Sequence, residues 1–131
     1  MPVSEVVDRT PVEPDHVYVA PRGHAVGLRE GVLVLEKATE RGRAPLPIDF
    51  LFRSLARDQE RRAVGIVLSG TGQDGTIGLA AIHAASGLAL AQDPETAEFA
   101  GMPQSAIAAG ATDLALPIAQ QQVPTVRVED M

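Results

Sequence analysis

Apolar positions in the second half of the chain predict two strands with a helix between them. The continuous apolar run at residues 63–68 is typical of a strand that is covered on both faces. A helix is predicted at residues 76–86, closed by Gly87, and the apolar residues 88–91 predict a second buried strand. Residues 63–92 should therefore form one βαβ unit, whose parallel strands connect in a right-handed sense. This is an α/β architecture.

Shorter patterns predict further elements. Apolar segments at residues 25–28 and 32–35 flank Arg29-Glu30-Gly31, where a glycine can adopt a positive φ angle, so we expect a β-hairpin. A helix should begin near Pro47, because Ile48, Leu51, Phe52 and Leu55 follow at helical spacing. The remaining predictions are a strand at residues 16–20, a short helix at residues 103–109 ended by Gly110, and a strand at residues 113–116.

The same helix carries charged residues on another face. Asp49, Arg53 and Arg57 lie four positions apart, which places them along one line of the helix surface. We interpret them as a solvated stripe of ion pairs without a functional role.

The chain length and the positions of prolines and glycines favour a single domain. The 131 residues suffice for one core. Residues 36–47 are charged and contain two prolines and a glycine, which predicts a surface loop. We expect the domain to occupy residues 1–119, and residues 120–131 to form a polar tail or linker.

Composition excludes several classes of function. The chain is 45% hydrophobic but only 3% aromatic, which suits helices packed on strands better than a surface for stacking bases. The net charge of −6 repels nucleic acid and anionic membranes, and the longest apolar stretch, residues 79–91, is too short to span a bilayer. No cysteine is present, which excludes disulfides and thiolate metal sites and suits a reducing cytoplasm.

The loop at residues 69–75 should carry the chemistry, because ligands of open α/β sheets bind beyond the carboxyl ends of strands. Gly70-x-Gly72-x-x-Gly75 matches the dinucleotide-binding fingerprint, and Asp93 follows the next strand. Asp74 opposes that interpretation, since it would set a carboxylate where the pyrophosphate has to sit.

Asp74 leaves two other interpretations open. It can be a catalytic carboxylate, favoured by a helix N-terminus and free to orient a histidine from a neighbouring loop. It can equally be an aspartate that caps its helix, which is a common arrangement.

Four segments taken in order resemble the CheB methylesterase family, from Pro2 to about Pro117. The amino-acid sequence of these segments is most similar to the methylesterase domain of proteins that fuse this domain to a CheR-type methyltransferase. The segments are His-Val-Tyr-Val-Ala-Pro at 16–21, Pro-Ile-Asp-Phe-Leu-Phe-Arg-Ser-Leu-Ala at 47–56, Val-Gly-Ile-Val-Leu-Ser-Gly-Thr-Gly-Gln-Asp-Gly at 64–75, and Ala-Gln-Asp-Pro-Glu at 91–95 followed by Gly-Met-Pro at 101–103.

The resemblance implies a doubly wound α/β domain with a mostly parallel sheet. It implies hydrolysis of glutamyl methyl esters on chemoreceptors to glutamate and methanol, by a Ser-His-Asp triad that needs no cofactor or metal. The implied partner is the cytoplasmic region of a methylated chemoreceptor, with a CheR-type methyltransferase as a further partner, and the implied location is the cytoplasm.

The motif match assigns roles within the loop. Asp74 takes the place of the triad aspartate, which holds the histidine in the correct tautomer and stabilises the imidazolium. Thr71 takes the place of a methionine whose backbone amide serves the oxyanion site, a role that does not depend on the side chain. Gly70, Gly72 and Gly75 would give the loop its shape.

The other two triad members are expected upstream of the segment that matches Pro2, so the domain is interpreted as N-terminally truncated. None of the five serines lies in a Gly-x-Ser-x-Gly turn; Ser69 is the nearest substitute nucleophile. His16, His24 and His83 are interpreted as structural. We therefore expect the chain alone to be inactive, with an unpaired sheet edge and an exposed apolar face.

Two alternatives to the esterase stay open at this point. One is a binding or scaffold module of the chemotaxis pathway that contacts receptor tails or a fused methyltransferase without turnover. The other is the nucleotide-binding βαβ module suggested by the glycine pattern.

Overall fold

The computed structural model describes residues 1–37 and 46–120. Three short 3-10 turns accompany the regular elements, at Glu60–Arg62, Pro94–Thr96 and Ile118–Gln120. The strands and helices are β1 (Val3–Glu5), β2 (Thr10–Pro11), β3 (Val17–Val19), β4 (His24–Arg29), β5 (Val32–Lys37), α1 (Pro47–Gln59), β6 (Val64–Val67), α2 (Thr76–Ala84), β7 (Leu88–Gln92), α3 (Gly101–Ala108) and β8 (Leu114–Leu116).

The predicted α/β class is confirmed. Strands β6, β7 and β8 form a parallel sheet in that order, with Val64 opposite Leu88 and Leu90 opposite Leu114. Because α2 connects β6 to β7, residues 64–92 form the expected βαβ unit. Helices α2 and α3 pack on this sheet.

The predicted hairpin is also confirmed. Strand β4 pairs antiparallel with β5, and β2 adds to the other edge of β5. Gly31 at the turn has φ +76° and Glu30 has φ +51°, so the turn uses a second left-handed residue that the sequence did not indicate.

Strands β1 and β2 were not predicted. The parallel pairing of β1 with β3 places Val3 opposite Val17 and Glu5 opposite Val19, and the Val6 N–H continues it to the Val19 carbonyl at 2.9 Å. All three residues of β1 are exposed, so no buried face imposes an alternating pattern that a sequence could reveal.

The predicted end of α2 was wrong in its detail. The helix ends at Ala84, and the left-handed residue after it is Ser86, with φ +66°, rather than Gly87. Gly87 is needed for space instead, because a Cβ atom there would lie 2.6 Å from the Ala63 carbonyl oxygen.

Two apolar clusters form the interior. The smaller one lies under the hairpin and contains Val6, Val26 and Leu33, while Leu51 on α1 packs against both clusters. The larger one joins α1, α2, α3 and the parallel sheet through Phe52, Ala56, Ala63, Val67, Leu79, Ile82, Ala89, Ala106 and Ala111.

Both edges of the parallel sheet lack a further strand within the described residues, and an unpaired edge was expected. At one of them β6 pairs with β7 alone, and Ile66 and Leu68 remain 37% and 44% exposed. Residues 38–45 of the predicted surface loop and residues 121–131 of the predicted tail lie outside the described residues. No helix in the described parts is long and apolar enough to cross a membrane.

Candidate active site

The glycine-rich loop follows β6 and leads directly into α2. Gly72 and Gly75 have φ angles of +85° and +98°, which an L-residue with a Cβ atom rarely adopts. Between them lies Asp74, half-buried, at the carboxyl end of the parallel strand. The loop therefore has the position expected for a ligand site of this architecture.

The Asp74 carboxylate is fixed by α1 rather than by its own helix. Its Oδ1 accepts the Asp49 N–H at 2.9 Å and its Oδ2 accepts the Ile48 N–H at 3.0 Å. Leu46 at the N-cap position of α1 provides no side-chain cap, so Asp74 satisfies two amides of the first turn that would otherwise lack acceptors. Capping of its own helix, the alternative left open by the sequence, is not what Asp74 does.

Asp49 in turn caps the N-terminus of α2. Its Oδ1 accepts the Gly75 N–H at 3.0 Å and the Gly78 N–H at 2.7 Å, and the residue is only 7% exposed. The interpretation of Asp49 as part of a solvated ion-pair stripe was therefore wrong. Its third position in a helix opened by Pro47 was the available signal, because carboxylates are favoured in the first turn.

The position that the pyrophosphate of a dinucleotide would need is already occupied. The N-terminus of α2, where a pyrophosphate would bind, is occupied by the buried Asp49 carboxylate. Asp93, which would contact a ribose, instead accepts the Glu95 N–H at 3.0 Å and caps a 3-10 turn.

The start of α3 supports the other end of the loop. The Gly70 N–H donates to the Phe99 carbonyl at 2.8 Å, and the Met102 N–H donates to the Gly70 carbonyl at 2.9 Å. A Cβ atom on Gly70 would lie 2.4 Å from the Met102 sulfur, so any larger residue would have to displace the Met102 side chain. The Gly-Met-Pro segment is thus packed directly against the glycine-rich loop.

Thr71 lies exposed at the tip of the loop. Its N–H has no hydrogen-bond acceptor among the described residues. The amide is therefore available to an external oxygen atom, as an oxyanion donor has to be.

Ser69 is tied into the structure and is not presented as a nucleophile. Its hydroxyl accepts the Phe99 N–H at 2.9 Å and lies 3.3 Å from the Phe99 carbonyl oxygen. Its N–H donates at 2.9 Å to the side chain of Gln92, which is 5% exposed and was not singled out in the sequence.

Each of the three histidines has a partner away from Asp74. His16 hydrogen-bonds Ser4 at 2.7 Å and His24 bonds the Arg22 carbonyl at 3.0 Å. The Nδ1 of His83 lies 3.1 Å from an Asp113 oxygen. Among the described residues no histidine is therefore hydrogen-bonded to Asp74, and the lone pairs left on the Asp74 oxygens can accept a further N–H from another segment.

Comparisons with known proteins point to one family. A family model described as CheB methylesterase matches residues 1–122. Protein-glutamate methylesterase/protein-glutamine glutaminase 6 of Anaeromyxobacter dehalogenans is 45% identical over 122 residues, covering 87% of this chain and 35% of that protein. An uncharacterized 104.1 kDa protein of Rhodobacter capsulatus is 48% identical over 118 residues, covering 90% of this chain and 12% of that protein.

A solved structure agrees with these matches. The CheB methylesterase catalytic domain of Thermotoga maritima superposes with a TM-score of 0.76 at 31% identity, covering 86% of this chain and 62% of that domain. The chain spans 35% or less of the length of these two curated relatives. On the match over residues 1–122, the chain belongs to the CheB methylesterase family.

Proposed function

We propose that this chain supplies the acidic member of the Ser-His-Asp triad of a protein-glutamate methylesterase. The carrying observation is the Asp74 carboxylate, held by the Ile48 and Asp49 amides at the carboxyl end of β6, beside the free N–H of Thr71. A buttressed carboxylate next to an unpaired backbone donor is the arrangement that orients an imidazole and binds an oxyanion.

The reaction requires a serine and a histidine from the remainder of the domain. The serine oxygen attacks the glutamyl ester carbonyl while the histidine takes its proton, and the carbonyl oxygen becomes an oxyanion that the Thr71 N–H stabilises. Collapse expels methanol, which takes the proton from the histidine, and water then hydrolyses the acyl-serine to glutamate. Asp74 keeps the imidazole in the required tautomer throughout.

The substrate is a methylated chemoreceptor, and the domain works in the cytoplasm. Relatives of Anaeromyxobacter dehalogenans and Chromohalobacter salexigens are named protein-glutamate methylesterase/protein-glutamine glutaminase, which supports a glutamyl ester on a protein as the substrate. The match to 12% of a 104.1 kDa protein supports a second proposal, that this domain operates within a larger polypeptide. That the larger polypeptide includes a CheR-type methyltransferase rests on the resemblance of the sequence segments alone. We assign residues 1–119 to the domain and residues 120–131 to a polar tail or linker.

Methanol release from methylated receptor tests the function. We expect none from the chain alone, and release when it is mixed with a separately expressed segment that carries the family's serine and histidine. Asp74→Asn should lower the rate in the mixture by about 10⁴-fold, because the imidazole loses its orienting acceptor. Glu36→Gln is the matched control, since it removes the same charge from an exposed position on β5.

Other outcomes are equally informative. Release by the chain alone would show that a serine and histidine within these residues suffice. No release from a mixture that forms a stable complex would favour the scaffold function, and saturable NAD binding lost in Asp93→Ala would restore the nucleotide-binding interpretation.

A further inference from the structure

A groove lined by arginines runs between α1 and the hairpin. It has a volume of about 250 Å³, and Arg53 and Arg57 of α1 and Arg29 of β4 line it. A second hollow of about 210 Å³ adjoins it, shares Arg29 and Arg57 with it, and is also lined by Glu30 and Asp58. We call the first depression, which the three arginines line, the arginine groove.

The floor of the arginine groove is apolar and rigid. Phe50 and Val34 line it, and Gly27 keeps the hairpin close, since a Cβ atom there would lie 2.9 Å from the Phe50 ring. The Ser54 hydroxyl accepts the Leu28 N–H at 2.9 Å and donates to the Leu51 carbonyl at 2.8 Å. Helix and strand are therefore fixed before any ligand arrives.

The three guanidinium groups have no acidic partner in the described part of the chain. The ion pair found there, within 4.0 Å, is that of His83 with Asp113. The adjoining hollow carries two carboxylates, Glu30 and Asp58, of which Asp58 accepts the N–H groups of Glu30 and Gly31. The described lining of the arginine groove itself contains three arginines and no carboxylate, in a protein with a net charge of −6.

We propose that the arginine groove binds an acidic peptide segment, with carboxylates on the guanidiniums and one apolar side chain on Phe50. Arg53 and Arg57 lie about 6 Å apart along the helix axis, which matches glutamates one turn apart on a helix. A peptide fits better than nucleic acid, because the remaining acidic surface repels a continuous phosphate backbone and only 3% of residues are aromatic.

The occupant to which we commit is the glutamate-bearing segment of the substrate protein, and this part rests on the proposed function. The reacting glutamyl ester is neutral, so the groove would bind other glutamates of the same segment, including those that earlier turnovers have released. Arg53 lies about one helical turn beyond Asp49, whose N–H holds Asp74. A segment that extends from the arginine groove past the first turn of α1 would therefore reach the Asp74 loop.

Peptide binding tests the groove independently of catalysis. The probe is a fluorescent peptide with two glutamates one helical turn apart on either side of a leucine; the comparisons are its glutamine analogue and a labelled DNA single strand. Arg53→Gln combined with Arg57→Gln should weaken glutamate-peptide binding about tenfold. Arg61→Gln combined with Arg62→Gln removes the same charge from exposed positions outside the groove, and should change it less than about twofold.

Equal losses in the two double variants, or equal binding of the glutamine peptide, would overturn the proposal. Tighter binding of DNA would replace the peptide with nucleic acid. In the reconstituted methanol assay, the Arg53/Arg57 variant should raise KM and leave kcat unchanged. Absence of methanol release by the wild-type mixture removes the proposed function and the committed occupant, while the peptide titration still decides whether the groove binds acidic peptides.

Discussion

Asp74 caps helix α1, whose first turn contains Asp49, and Asp49 caps helix α2, which follows directly after the Asp74 loop. Asp74 accepts the first-turn amides of α1, and Asp49, in that same turn, accepts the amides of Gly75 and Gly78 at the start of α2. The position of the proposed catalytic carboxylate is thus coupled to the packing of two helices.

Removing the Asp49 side chain should destabilise the fold strongly. Asp49→Ala leaves the Gly75 and Gly78 amides buried without an acceptor, which costs about 3 kcal/mol of the free energy of unfolding. Asp49→Asn keeps the Oδ1 acceptor and should cost about 1 kcal/mol. Urea denaturation measures both values, and a loss below about 0.5 kcal/mol for Asp49→Ala would show that water replaces the carboxylate.

Gly70 and Met102 should be energetically coupled. Gly70→Ala places a Cβ atom 2.4 Å from the Met102 sulfur, so the variant should lose about 1–2 kcal/mol of stability. Met102→Ala removes the obstacle, and the double variant should be more stable than the sum of the two single changes predicts. Strict additivity in a double-mutant cycle would contradict the contact.

Gly87 and Gly23 require glycine for different reasons. Gly87 has no space for a Cβ atom, whereas Gly23 has a positive φ angle. Gly87→Ala should cost about 2–3 kcal/mol because the new Cβ atom meets the Ala63 carbonyl oxygen at 2.6 Å. Gly23 has φ +74° and open space around it, so Gly23→Ala should cost only about 1 kcal/mol of backbone strain. Thermal unfolding of the two variants ranks them, and the reverse order would refute the assignment.

Asp58 should contribute to acid sensitivity. Partial burial raises the pKa of its carboxyl, but hydrogen bonds from the Gln59 side chain and from the Gly31 and Glu30 amides together outweigh burial and hold the pKa below its ordinary value. A carboxyl with a lowered folded pKa stabilises the fold above the unfolded pKa of about 4, and loses this contribution as pH falls through the folded value.

The Asp58 contribution can be isolated by substitution. Asp58→Asn should narrow the difference in urea midpoint between neutral and acidic solution. Asp15→Asn, at an exposed position, is the control and should leave that difference nearly unchanged. The effect is small because Asp58 is only partly buried. An unchanged difference in Asp58→Asn would show that its hydrogen bonds do not persist in solution.

The sequence by itself determined the elements whose signals are local. The hairpin, the helix after Pro47 and the βαβ unit follow from apolar periodicity and from residues that end or begin elements, and the structure has all three. The glycine spacing placed a sharp loop around Asp74, and the order of four motifs indicated the family that residues 1–122 match.

Only the tertiary structure decided which groups meet across the chain. The sequence shows a carboxylate at Asp49 and another at Asp74, but the helix that each one caps depends on how α1 packs against α2. The same holds for β1, whose exposed residues are ordered by pairing with β3, and for Gly87, whose constraint is a carbonyl 24 positions earlier in the chain. Such contacts join distant positions, and local propensity carries no information about them.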